Sequence, residues 1–88
     1  MKYYEIHEPY YALIVAEDEK KAAEVYVDFV ADDDGNLKDE VKEVCARYAL
    51  GTFVGSVAKT NPHFTLGKVA TDFVDRKNDY LLIDSSLV

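Results

Sequence analysis

The sequence predicts an α+β domain, a small sheet of three or four strands with about three helices packed on one face, and three observations lead there. Short runs of aromatic and branched residues near both ends have strand character. Intervening stretches carry apolar residues at helical spacing, and turn-forming residues separate the elements. The predicted order is β(β)αβααβ within a single domain spanning 1–88. Two independent cores would each need more than roughly 50 residues.

Tyr3 to Ile6 and Tyr10 to Ala16 favour extended structure, and Pro9, which has no N–H for a ladder, implies a bend between them. The pair reads as one broken strand or a hairpin. Asp18 is placed to cap a helix starting at Glu19, where acidic side chains also complement the positive helix end. Its apolar face is expected from Ala22, Ala23, Tyr26, Val27, Phe29 and Val30, opposite Lys20, Lys21, Glu24 and Asp28. Asp32-Asp33-Asp34-Gly35-Asn36 should stop that helix and open a loop.

Val41 to Ala46 fits either a short strand, the favoured reading, or the start of the helix that follows, whose face is Ala49, Leu50, Phe53, Val54 and Val57. Gly51 and Gly55 lie four apart on it. Their expected role is close approach of a neighbouring element, at a cost of ~1 kcal/mol per Gly relative to Ala. After Asn61-Pro62, Thr65 is placed to cap a third helix with a stripe of Leu66, Val69, Ala70, Phe73 and Val74. Tyr80 to Ile83, bounded by Asp79 and Asp84, reads as a buried strand. A strand, the first helix and the next strand would form a right-handed parallel unit, with the last strand inserted beside it.

With 49% hydrophobic and 31% charged residues the chain is too apolar for disorder and polar enough for a wet surface. No apolar run approaches ~18 residues, and the start lacks an apolar leader core, so a cytoplasmic protein without membrane association is expected. Cys45 is the single cysteine, which excludes an internal disulfide. Charge is distributed unevenly. The net charge is -7, and residues 17–43 hold 11 acids against Lys20, Lys21, Lys38 and Lys42. A surface of that sign attracts basic proteins and repels nucleic acid, so direct nucleic-acid binding is not expected.

Nothing points to catalysis. Cys45, Ser56, Ser85 and Ser86 are possible nucleophiles and His7 and His63 possible bases, but none sits at a recognised spacing. The histidines read as loop residues and Cys45 as a small buried apolar residue. No cofactor and no metal is expected. Asp32, Asp34, Asn36 and Glu43 match the first, third, fifth and twelfth ligands of a calcium loop, but Leu37 replaces the turn glycine and Asp39 the apolar eighth residue. An acidic helix-stop loop is the simpler reading.

What remains is a binding surface. Helical residues four apart are ~6 Å from one another, comparable with the separation of phosphates along a DNA strand. Glu17, Glu24, Asp28 and Asp32, Asp33 and Asp34 are the candidates for such a row, with Lys20 and Lys21 opposing them. Seven tyrosines are many for this length, and tyrosine is a common interface anchor. By strand alternation one of Tyr3 and Tyr4 and one of Tyr10 and Tyr11 should face outward; Tyr4 and Tyr11 are taken as partner-binding residues.

The segments Tyr10 to Glu17, Val30 to Asp34 and Leu81 to Leu87 resemble those of small acidic proteins of phages and mobile elements in low-GC Gram-positive bacteria. Among such proteins are anti-CRISPR inhibitors, which bind an RNA-guided nuclease and block its DNA-binding groove or its activation. The resemblance implies a non-enzymatic inhibitor whose partner is a basic nucleic-acid-binding protein such as a CRISPR nuclease. The alternative is a phage or host assembly or adaptor protein that binds through tyrosine-rich apolar patches. A homodimer is left open.

Overall fold

The computed structural model describes the chain apart from Pro9, Asp33, Asp34, Asn36, Asn61, Pro62, Phe64 and residues 85–88, and apart from the side chains of Thr60 and Leu66. The expectations for Pro9, for the Asn61-Pro62 turn and for Ser85 and Ser86 lie outside the described residues. The order is β1 (Lys2–Ile6), β2 (Ala12–Ala16), α1 (Glu19–Phe29), α2 (Leu37–Glu40), β3 (Lys42–Val44), α3 (Ala46–Thr60), α4 (Leu66–Asp75) and β4 (Asp79–Ile83). This is the α+β class, with a hairpin at the start and an additional single turn, α2, where a loop is expected.

The sheet order is β3-β1-β2-β4, and every neighbouring pair is antiparallel. β2 and β3 run parallel to one another, as a connection through one long helix requires, but β1 lies between them. The expected adjacent parallel pair is therefore absent. Two long helices, α3 and α4, carry the chain from β3 across to the opposite edge, so β4 returns antiparallel to β2. β4 is an edge strand rather than an inserted one, and only its Leu81 is fully buried.

Helices cover both faces of the sheet, not one. The cause is β2, whose five residues are all buried. Ala12, Ile14 and Ala16 pack with Ala22, Val25 and Tyr26 of α1 and with Leu37 and Val41, while Leu13 and Val15 pack with Ala49, Phe53, Val69 and Phe73 of α3 and α4. A central strand that is apolar on both sides needs a layer on each. In β1 the alternation sends Tyr4 and Ile6 to the α1 side and Tyr3 to the other, where Tyr3 stacks on Phe73 at 4.8 Å between ring centroids.

The Asp18 cap forms as expected, accepting the Lys21 N–H at 2.8 Å. Val25, not Val27 or Phe29, completes the buried face of α1; the latter two are exposed, because the helix meets the sheet on a narrow stripe. The Phe29 ring rests against Tyr80 of β4. The Tyr26 hydroxyl donates to the Tyr10 carbonyl at 2.9 Å and accepts the Tyr10 N–H at 3.1 Å, pinning the β1–β2 connection to α1. Thr65 precedes α4 without a side-chain cap bond, and Val74 is 70% exposed. Gly51 and Gly55 face open space, with no atom within 4 Å of an added Cβ, so they do not admit a neighbouring element.

Candidate functional site

The topology turns a charge difference along the chain into a charge difference across the sheet. Among the described residues, 17–40, which build the α1 and α2 layer, contain 8 acids and 3 lysines, whereas 46–75, which build the opposite layer, contain 2 acids and 3 bases. The surplus negative charge of the described residues therefore lies mainly on the α1 and α2 side.

Glu24 and Asp28 lie one turn apart on α1, and both are exposed, as are Glu17 before the helix and Asp32 beyond it. Asp33 and Asp34 lie outside the described residues. A continuous helical row of carboxylates is not formed, because α1 ends at Phe29; only Glu24 and Asp28 share the helix, flanked by Glu17 and Asp32. The Glu24 carboxylate meets Lys21 at 3.4 Å across an exposed pair, a contact worth little in water. Glu17 is fixed through its backbone N–H, which donates to Asn78 Oδ1 at 3.1 Å. Asn78 occupies the left-handed region at φ 50°, which its short polar side chain tolerates.

The tyrosine anchors need correction. Tyr4 is buried against α1 and is not available to a partner. Burial, with Glu43, Asp18 and Glu19 nearby, pushes its hydroxyl pKa up. Tyr11 is half-buried and already engaged. It belongs to a cluster that the sequence did not reveal, centred on Glu5, a carboxylate only 7% exposed.

The Tyr11 hydroxyl donates to Glu5 Oε2 at 2.7 Å, and the Tyr48 hydroxyl bridges both oxygens at 2.8 and 3.0 Å. His7 Nε2 lies 3.0 Å from Oε1. Burial alone would raise the Glu5 carboxyl, but these hydrogen bonds and the His7 charge outweigh it and hold the group below its ordinary value. Tyr11 is pushed up by burial and then by its bond to Glu5; Tyr48 is pushed up chiefly by its bond to Glu5. The four residues come from β1, its exit, the start of β2 and the first turn of α3. Their arrangement clamps α3 onto the sheet. The only sequence signal is an acidic residue amid the apolar alternation of a strand.

Cys45 is exposed rather than buried, directly before α3, where its Sγ accepts the Tyr48 N–H at 3.4 Å. His63 is exposed. Among the described residues no group of three or more His, Cys, Asp or Glu is arranged to hold a metal ion. Of the calcium-loop candidates, Asp34 and Asn36 lie outside the described residues. Glu43 is held in β3 opposite Tyr4, and the intervening Leu37–Glu40 is helical. Among the described residues no helix is long and apolar enough to cross a membrane.

Comparison with known proteins supplies the lineage. Residues 1–82 match the family model described as the YosH C-terminal domain. The chain is 39% identical over 89 residues to the SPbeta prophage-derived uncharacterized protein YosH of Bacillus subtilis (strain 168); the match takes in all of this chain and 57% of that protein. The chain thus spans little more than half the length of this relative, a prophage protein, which agrees with the phage character expected from the sequence. No solved structure matches. With nearly its whole length covered by that family model, the chain belongs to the family of the YosH C-terminal domain.

Proposed function

We propose that the protein is a non-catalytic binding module that sets its acidic α1 and α2 face against the basic surface of a nucleic-acid-handling protein, occupying ground that DNA would otherwise hold. The observation that carries this reading is the segregation of charge across the sheet: the described residues of 17–40 carry 8 acids against 3 lysines, whereas those of 46–75 carry 2 acids against 3 bases. A one-sided field of this kind orients the molecule before contact and accelerates encounter with a basic partner. An RNA-guided nuclease is the target class that the sequence resemblance implies.

Glu17, Glu24, Asp28 and Asp32 are exposed on or beside this layer and form the binding set among the described residues. The alternative, an adaptor that recognises its partner through tyrosines, has less support, since Tyr4 and Tyr26 are in the core and Tyr11 and Tyr48 are bonded to Glu5. The test is affinity capture from host cells with the wild-type chain and with Glu24→Lys/Asp28→Lys. Electrostatic docking predicts that the captured protein is lost with the variant, is released by salt and is displaced by duplex DNA. Retention of the same protein by the variant and at high salt would reject it.

A further inference from the structure

The acidic layer is not a smooth surface. Between α1 and α2 lie two adjoining hollows of about 310 and 330 Å³ that share Lys20 and Ala23 in their linings and together make a shallow cleft. Its floor is apolar: Ala23 and Val27 from α1, with the edges of the largely buried Leu37 and Val41 beneath them. Val27 is 40% exposed and lines the cleft, whereas the other exposed apolar residue of α1, Phe29, rests against Tyr80. Glu24 and Asp28 rim one part, Glu19 and Lys38 the other, and Lys20 borders both. Asp28 makes no ion pair with another described residue, so its charge is unspent.

We propose that this cleft is the docking groove for a basic, amphipathic segment of a protein partner. The segment seats apolar side chains on Ala23, Val27, Leu37 and Val41 and reaches Glu24 and Asp28 with arginine or lysine. Three features select that occupant. The lined stretch of α1, residues 19–28, spans about 14 Å at 1.5 Å per residue, enough to guide two or three turns of a helix laid along it. Each part of the cleft lies at the lower edge of the ~300–1,000 Å³ typical of small-molecule sites and is open along the helix, which suits successive side chains better than one compact ligand. The net charge of the surrounding layer excludes a polynucleotide and favours a cationic polypeptide. Lys38, which borders only the part away from Glu24 and Asp28, disfavours a uniformly basic guest there and so sets the direction in which the segment lies.

This inference rests on the proposed function and adds an apolar seat to its electrostatics. The test uses two synthetic peptides of equal positive charge, one amphipathic and made of leucine and arginine, the other with every leucine replaced by serine. Binding to the full chain is followed by heteronuclear NMR. The groove predicts that the leucine peptide binds about tenfold or more tightly than the serine peptide and shifts the amides of Ala23, Val27, Leu37 and Val41. Ala23→Trp, which fills the cleft, and Val27→Ser, an exposed change that the fold should accept, should each abolish that preference. Glu24→Lys/Asp28→Lys should weaken both peptides. Equal affinity of the two peptides, or a preference that survives Val27→Ser and Ala23→Trp, would overturn the groove while leaving electrostatic docking intact. Failure of both peptides to bind would overturn the groove, whereas electrostatic docking stands or falls by the capture experiment.

Discussion

Replacing Glu5 by Gln tests whether the buried carboxylate holds α3 on the sheet. The side chain accepts from Tyr11 at 2.7 Å and from Tyr48 at 2.8 Å, with His7 at 3.0 Å. Hydrogen bonds to a charged acceptor contribute about 1.5–3 kcal/mol, and neutral ones about 0.5–1.5 kcal/mol. Gln keeps the size and one acceptor, so the Tyr11 bond survives in its weaker form and the expected loss is about 1–2 kcal/mol. For a domain of this size each kcal/mol moves Tm by about 4–8 °C, which gives a fall of about 5–15 °C, read by circular dichroism.

The pH dependence is the sharper part of this test. Its hydrogen bonds hold the folded Glu5 carboxyl below the ordinary value of 4.5, so its stabilisation is present above about pH 4.5 and is lost as pH falls through the folded pKa. The gap between wild type and Glu5→Gln should close in acid. Tyr11 and Tyr48 are raised above 10.0, so their contribution is complete below that value and fades as pH rises through the folded values. That alkaline loss should also be smaller in the variant. No gap at neutral pH, or a gap undiminished down to about pH 3, would refute the clamp.

Three further outcomes are expected. Gly51→Ala and Gly55→Ala should each stabilise the protein by up to ~1 kcal/mol in urea unfolding, because both face open space on α3 and gain helix propensity without a clash. Phe73→Ala should cost about 3–5 kcal/mol, since its ring packs on Tyr3 and Phe53, whereas Val74→Ser, at a position 70% exposed, should change unfolding little. On edge strand β4, the Tyr80 carbonyl accepts from Arg76 at 2.7 Å and the Tyr80 N–H donates to Asp79 at 2.8 Å. Arg76→Ala/Asp79→Ala should therefore increase concentration-dependent self-association in sedimentation velocity relative to wild type, because freed edge groups invite another strand.

Much of the fold was legible because local physics sets it. The Asp18 cap, the short strands, the stripe of α3 and the buried Val69 and Phe73 of α4 follow from side-chain chemistry and spacing within a few residues. The acidic face was legible as composition, and Glu24 and Asp28 were correctly expected on the solvent side of α1. The Glu5 cluster was not legible. His7 and Tyr11 are near Glu5 in sequence, but Tyr48 is 43 residues away, and nothing local to Tyr48 distinguishes a hydroxyl bonded to a buried carboxylate from an interface anchor. Tyr4 was misassigned for a related reason: alternation shows that Tyr3 and Tyr4 face opposite ways, but not that both faces of the sheet are covered.

The sequence by itself determined the types of the main elements and the excess of negative charge in the first half, since these depend on residue identity and short-range periodicity. Tertiary structure decided where the layers lie. One long helix after β2 and two after β3 place the final strands at opposite edges, and the doubly apolar β2 draws α1 to one face and α3 with α4 to the other. Only that division separates the charges across the sheet and opens the cleft between α1 and α2, because both depend on contacts between segments distant in the chain.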